Sequence, residues 1–157
     1  MGSGGVVKST TTLTSELVGI PPSTIGHRFG SAIANIGDLD GDGITDLAVG
    51  AAGIVRGGNV TGDLYILFMN PDGTVRDTAE INSETPNAPQ LGPGDVFGEE
   101  VASLGDLDGD GITELAVGAP GQIIGGQSTG DLYVLFMNPD GTVKLSLIHI
   151  SEPTRPY

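Results

Sequence analysis

An acidic, glycine-spaced loop occurs twice in this chain of 157 residues, and the two copies begin 68 residues apart. The first copy is DLDGDGITD over residues 38–46, and the second is DLDGDGITE over residues 106–114. Carboxylate side chains therefore stand at loop positions 1, 3, 5 and 9 in both copies. Calcium takes about six to eight oxygen ligands. This spacing predicts a calcium loop in each copy.

The similarity between the two copies extends well beyond the loops. Residues 29–50 match residues 97–118 at 16 of 22 positions. Residues 62–75 match residues 130–143 at 13 of 14 positions. One structural unit is therefore present twice.

The composition favours short strands and tight turns over helices, because glycine supplies 27 residues, proline 10, and tryptophan none. The net charge is -14, and the two loops hold eight of the 20 acidic residues. Only six residues are Lys or Arg. The chain thus lacks the basic clusters that binding to nucleic acid or to anionic lipid requires.

Several classes of site are excluded by residues that the sequence lacks. It contains no cysteine, so neither a disulfide framework nor a thiolate metal site is available. The two histidines, His27 and His149, are poorly placed for a nucleophile–base pair, so we predict no catalytic residue. No stretch approaches the roughly 20 apolar residues of a membrane span, and no signal peptide is visible.

The hydrophobic pattern of the first unit predicts four antiparallel strands. Residues 31–36 and 46–51 flank the acidic loop as a hairpin, and the apolar residues 63–69 suit a buried strand. An Asn-Pro-Asp-Gly turn at residues 70–73 then leads into a half-exposed outer strand over residues 74–81. Four-stranded units that repeat at a fixed period are typical of β-propeller blades.

The repeat divides the chain into four parts. Residues 1–25 are predicted to hold the end of a preceding repeat, with one outer strand near residues 5–13, and a linker. Residues 26–83 form the first blade, and residues 84–144 a linker and the second blade. Residues 145–157 stop matching the repeat and are a tail of doubtful origin. We expect the chain to be a piece of a longer array.

The Phe-Gly pairs at residues 29–30 and 97–98, the acidic loops and the Leu-Ala-Val-Gly-Ala that follows each loop resemble the FG-GAP repeat. Ala52 departs from the Gly-Ala-Pro element that the second copy retains at residues 118–120. The family's best-known members are integrin α subunits, in which such repeats form a β-propeller. The resemblance implies an all-β fold with two four-stranded antiparallel blades, plus one strand of a preceding blade, from a larger propeller.

The resemblance also implies two structural Ca²⁺ sites, each with four carboxylates and one backbone carbonyl. The implied ligands of the first site are Asp38, Asp40, Asp42, Ile44 and Asp46. The implied ligands of the second site are Asp106, Asp108, Asp110, Ile112 and Glu114. Glu114 departs from the family pattern, which has Asp at loop position 9.

These features admit other interpretations. A solvated acidic turn or an acid–base pair of carboxylates would use the same residues. An EF-hand does not fit, because its position 12 requires Glu, whereas Val49 and Val117 stand there. Asn59 begins an N-glycosylation sequon that the second unit lacks. The repeated aromatic residues are predicted to be core residues; they are Phe29, Tyr65, Phe97 and Tyr133.

The leading functional hypothesis is an extracellular or cell-surface module for adhesion or recognition, without enzymatic activity and with a protein or glycan ligand. The alternatives are a non-catalytic domain of a larger secreted hydrolase or lyase, and a structural spacer. Two blades expose unpaired edges and faces. The expected partners are therefore the remaining blades of the propeller or further copies of the chain, with no nucleic acid and no membrane insertion.

Overall fold

The protein is all-β in the part of the chain that the structure, a computed structural model, describes. The described residues are 6–19, 26–121, 123–124, 127–128 and 130–149. Within them the only helical element is a 3₁₀ turn over Ser15–Val18. The predicted fold class is confirmed.

The first blade is a four-stranded antiparallel sheet in the order β1-β2-β5-β6. Its strands are β1 (Phe29–Gly37), β2 (Asp46–Ala51), β5 (Asp63–Met69) and β6 (Val75–Ile81). The glycine-rich stretch after β2 forms a small separate hairpin, β3 (Val55–Arg56) and β4 (Asn59–Val60). The prediction of four antiparallel strands in this unit is confirmed.

The second blade repeats this arrangement. Its four-stranded sheet is made of β7 (Glu100–Gly105), β8 (Glu114–Ala119), β11 (Asp131–Met137) and β12 (Val143–His149). A second small hairpin pairs β9 (Ile123–Ile124) with β10 (Gln127–Ser128). In each blade the acidic loop joins the first two strands at one end of the sheet, and the small hairpin follows the second strand at the other end.

The core lies mainly between the two blades. Every residue of β5 is buried, and successive side chains of a strand point to opposite faces. Leu64, Ile66 and Phe68 share one cluster with Tyr133 and other residues of the second blade. The alternate residues of β5 share a separate cluster on the other face of the first blade. The predicted buried strand is thus covered on both faces.

The main chain of the segment that leads into the second blade forms hydrogen bonds and close contacts with the main chain of the first blade. Phe97 N donates to Thr61 O at 2.9 Å, and Gly94 N donates to Val60 O at 2.7 Å. A Cβ atom on Gly62, which has a φ of +77°, would lie 2.1 Å from Phe97 O. Only glycine fits at this position. The linker that precedes the second blade is therefore fixed against the first.

The predicted strand of a preceding blade is not formed in the described residues. Residues 6–14 belong to no sheet. A strand needs a hydrogen-bonded neighbour. The edge strands of the first blade are β1 and β6, and neither of them pairs with this segment. Leu13 and Val18 nevertheless pack against the cluster of Tyr65 and Leu67. The segment thus covers part of the face that points away from the second blade.

The last strand continues beyond Lys144, where the repeat stops matching. His149 pairs with Leu132 in the second blade, as Ile81 pairs with Leu64 in the first. Backbone pairing therefore keeps the register of the repeat although the side chains differ. Residues 150–157 lie outside the described residues, and the doubtful origin of the tail stays a prediction.

Candidate metal centres

The aspartate at position 1 organises each acidic loop. Asp38 Oδ1 accepts hydrogen bonds from Gly41 N at 2.8 Å and Asp42 N at 2.9 Å, and Asp38 Oδ2 accepts one from Gly43 N at 2.8 Å. Gly41 and Gly43 have φ values of +81° and +87°, which favour glycine. Asp106 accepts the same three hydrogen bonds in the second loop. The repeated DxDGDG sequence thus sets the shape of both loops.

The first loop brings three carboxylates together. One oxygen each of Asp38, Asp40 and Asp42 lies within 4.8 Å of the other two. Asp42 Oδ1 also accepts a hydrogen bond from Ile44 N at 2.8 Å. Arg76, at the start of β6, donates to the Oδ2 atoms of Asp40 and Asp42. The cluster is therefore faced by one cationic side chain.

Asp46, at position 9 of the first loop, has a different environment. It is fully buried, and its two oxygens accept hydrogen bonds from Leu39 N and Met69 N, each at 3.0 Å. Burial raises the pKa of Asp46, and these two backbone hydrogen bonds oppose that rise. Asp46 thus joins the loop to β5, and each of its oxygens accepts one backbone hydrogen bond.

We predict that Asp46→Asn destabilises the protein by about 1–3 kcal/mol even in chelator, because an amide group would face a backbone N–H donor. Chemical denaturation under both conditions measures this. The matched control is Asp40→Asn, whose side chain is partly exposed and should have little effect in chelator. A loss of stability confined to calcium would contradict this role for Asp46.

The second loop gathers a different set of carboxylates. One oxygen each of Asp106, Asp108 and Glu114 lies within 4.8 Å of the other two. Glu114 is fully buried, and its Oε2 accepts a hydrogen bond from Leu107 N at 2.5 Å. Its Oε1 is buried and has no hydrogen-bond partner among the described residues. A buried carboxylate oxygen without a partner is costly, so this environment favours a bound cation.

Asp110, at position 5 of the second loop, lies outside this group of three. Its Oδ1 accepts a hydrogen bond from Ile112 N at 2.9 Å, and Lys144 Nζ lies 2.8 Å from its Oδ2. The hydrogen bond from Lys144 lowers the pKa of Asp110, because it favours the carboxylate form. Lys144 Nζ also donates to Asp108 Oδ2 at 2.7 Å.

The donor atoms in both loops suit a hard divalent cation. Each cluster consists of carboxylates only, and the chain has no cysteine. Calcium tolerates irregular sets of oxygen ligands, whereas magnesium requires near-octahedral geometry. The second loop fits calcium best, because Glu114 belongs to its group of carboxylates and has a buried oxygen without a hydrogen-bond partner among the described residues.

Arg76 and Lys144 contact these loops, and the acidic pattern of the sequence did not predict them. They stand 68 residues apart, at the same position of the repeat. This repeated basic residue was the sequence signal that could have identified them. The repeated aromatic residues pack in the core as predicted, and Phe29 is the one that is only partly buried. Phe29 and Tyr65 pack edge to face at 6.0 Å between ring centroids, and Phe97 and Tyr133 at 5.8 Å.

Comparison with known proteins agrees with this architecture. The family model described as FG-GAP repeat matches residues 29–67 and 97–135. Integrin alpha-PS5 of Drosophila melanogaster is 36% identical over 104 residues, which cover 64% of this chain and 10% of that protein. Mouse integrin alpha-2 is 34% identical over 143 residues, which cover 84% of this chain and 12% of that protein.

A relative of another kind is also similar to the chain. Bovine phosphatidylinositol-glycan-specific phospholipase D is 35% identical over 137 residues, which cover 84% of this chain and 15% of that protein. The chain thus spans only 10% to 15% of the length of these three relatives. Among the described residues, we find no helix with the length and apolar character that crossing a membrane would need.

Both units match the FG-GAP repeat model, each folds into a four-stranded antiparallel blade, and integrin α subunits are similar over most of the chain. The predicted family is confirmed. The chain is a member of the FG-GAP repeat family and a propeller module of the integrin α type.

Proposed function

We propose that this chain is a calcium-binding propeller module for adhesion or recognition outside the cell, in which calcium has a structural role. The observation that carries the proposal is the buried Glu114 Oε1, which has no partner among the described residues and belongs to a side chain grouped with Asp106 and Asp108. The first loop supplies the other proposed site through Asp38, Asp40 and Asp42.

The proposed role of calcium follows from the position of the loops. Each loop is the tip of the hairpin between the first two strands of its blade. Three carboxylates crowded at such a tip repel one another, and a divalent cation offsets that repulsion. In the second blade the ion would also join the loop to β8 through Glu114. Asp46, Ile44, Asp110 and Ile112 remain proposed ligands from the family resemblance.

The proposed compartment follows from the expected affinity. Extracellular calcium modules bind calcium at about 10⁻⁴–10⁻³ M. Such sites fill outside the cell and stay largely empty in the cytosol. An affinity tighter than about 10⁻⁶ M would contradict an extracellular role, because it is typical of cytosolic calcium proteins.

The proposed recognition surface lies at the ends of the strands opposite the calcium loops. The β3–β4 hairpin is there, with Val55 48% exposed and Val60 38% exposed. Asn59 is also exposed on this hairpin, so its sequon is accessible to glycosylation. Loops that a rigid scaffold holds at one end of a sheet are common binding surfaces. A protein or a glycan is the ligand class that we propose for it.

Binding to arrays of glycans and of extracellular matrix proteins tests this function. We expect binding of at least one ligand in millimolar calcium and its loss in chelator. Shortening the β3–β4 hairpin should abolish binding, whereas changes at the calcium loops should act only through stability. Folded protein that binds nothing on either array would favour a spacer role instead.

The second candidate function is a non-catalytic propeller domain within a larger secreted enzyme. The similarity to phosphatidylinositol-glycan-specific phospholipase D supports it, because that protein is matched over as much of this chain as mouse integrin alpha-2. A catalytic segment in the same gene would favour this alternative. In both cases the chain itself is proposed to be non-enzymatic.

The second blade also has a face that we propose as its contact with another blade or with another copy of the chain. Leu132 corresponds in the repeat to Leu64, which is fully buried between the blades, yet Leu132 is 44% exposed. Leu145 and Leu147 of β12 are each 49% exposed. The apolar pattern of the repeat is therefore not fully covered in the second blade.

We predict that the isolated chain self-associates through this face. Leu132→Asp should weaken association about tenfold or more, because a charge would have to be buried. Sedimentation equilibrium measures this, and Val55→Asp, at a similarly exposed site on the β3–β4 hairpin, is the control. A monodisperse monomer at high concentration would contradict the prediction.

A further inference from the structure

Each acidic loop is faced by one basic side chain from the outer strand of its own blade. Lys144 Nζ lies 2.7 Å from Asp108 Oδ2 and 2.8 Å from Asp110 Oδ2. Arg76 donates to the corresponding carboxylates of the first loop. Both basic residues occupy the second position of their strand, β12 or β6. The same position of the repeat thus supplies a cation to the loop in both blades.

Each oxygen of the two carboxylates that Lys144 contacts already accepts one hydrogen bond. Their Oδ1 atoms accept hydrogen bonds from the backbone, with Asp110 N 3.3 Å from Asp108 Oδ1 and Ile112 N 2.9 Å from Asp110 Oδ1. Their Oδ2 atoms face the Lys144 ammonium group. A divalent cation that shares Asp108 therefore lies close to a second positive charge.

Glu114 is placed differently with respect to Lys144. Glu114 is buried at the start of β8, whereas 44% of the Lys144 side chain is exposed. The Oε1 atom of Glu114 has no hydrogen-bond partner in the described part of the chain. The loop thus keeps a buried anionic oxygen for a metal ion while the ammonium group neutralises its outer carboxylates.

We infer that Lys144 is a built-in counter-cation that supports the second loop when no divalent ion is bound and that lowers the affinity of the loop for calcium. Arg76 has the same role in the first loop. The inference rests on the proposed calcium binding and concerns how this chain sets its strength. Lys144 is a positioning residue here, since it would act on the ion through the carboxylates that it contacts.

This role makes a prediction that an ordinary surface ion pair does not make. Loss of an ordinary ion pair lowers stability slightly and leaves metal affinity unchanged. Loss of a competing cation removes repulsion between two positive charges that are only partly screened by solvent. The same substitution should therefore weaken the metal-free protein and strengthen its binding of calcium.

The test is calorimetric titration of the full chain with calcium chloride, together with thermal unfolding in chelator. We expect Lys144→Met to bind calcium at one site about tenfold more tightly than the parent, and to unfold at a lower temperature in chelator. Lys144→Arg should retain the parent affinity within a small factor. Arg76→Met should show the same gain in the first loop, and it serves as the second variant if Lys144→Met does not fold without calcium.

The control for net charge is Arg28→Met. Arg28 forms an ion pair with Glu99 at 2.7 Å before the first strands of the two blades, at the ends opposite the acidic loops. The calcium affinity of the Arg28→Met variant should equal that of the parent. If the parent binds calcium and the Lys144→Met variant binds it with equal or lower affinity, this inference is overturned and the proposed function is not. A parent that binds no calcium would overturn the proposed function and this inference together.

Discussion

Gly50→Ala should destabilise the protein by about 3 kcal/mol or more, whereas the same substitution at the equivalent Gly118 should be close to neutral. Gly50 lies in β2, and a Cβ atom there would lie 1.9 Å from Gly98 O in the second blade. The atom in the way is backbone, so no side-chain rotation relieves the clash. Separation of the blades would expose apolar surface that lies between them.

Gly118 is a strict control because it occupies the same position of the repeat in β8. A Cβ atom on Gly118 would lie 3.7 Å from Glu100 Cβ, which is an ordinary contact. Neither glycine has a positive φ, so alanine suits the backbone at both sites. Urea denaturation of the two variants measures the difference. Equal losses of stability would contradict the account of the interface between the blades.

Calcium should raise the thermal midpoint of the parent protein by roughly 10 °C at about 10 mM, relative to chelator. Two sites with dissociation constants of about 10⁻⁴–10⁻³ M would each contribute about 1.5–3 kcal/mol under this condition. The physical origin is relief of repulsion among the carboxylates at the two hairpin tips. Circular dichroism in the far ultraviolet measures the midpoint in both conditions.

The matched variant for this experiment is the double substitution Asp40→Asn and Asp108→Asn. Position 3 suits the purpose, because its backbone hydrogen bond is the longest in each loop, at 3.3 Å. The variant should therefore unfold at nearly the parent temperature in chelator and gain little from calcium. A calcium response of equal size in the variant would place the ion elsewhere.

Local sequence was sufficient to predict the blades and the position of the loops at the hairpin tips. The DxDGDG sequence carries its own hydrogen bonds, since Asp38 accepts from backbone groups only three to five residues away. The turn at residues 70–73 is equally local, with Gly73 N donating to Asn70 O at 3.0 Å. Such features depend on spacing along the chain, and the repeat displayed them twice.

The features that the sequence did not predict depend on contacts between distant residues. Asp46 accepts from Met69 N, 23 residues away, and Lys144 contacts carboxylates 34 and 36 residues away. Gly50 and Gly118 have similar sequence neighbours, yet only Gly50 lies against another blade. The unpartnered oxygen of Glu114 likewise depends on which backbone groups reach it.

The most direct test of the central claim is a calorimetric titration of the chelator-treated parent with calcium chloride, beside the double variant at Asp40 and Asp108. The account predicts saturable binding of two calcium ions with dissociation constants of about 10⁻⁴–10⁻³ M, and its loss in the variant. Folded parent protein that binds no calcium in the millimolar range would contradict it. The loops would then be acidic turns that Arg76 and Lys144 neutralise.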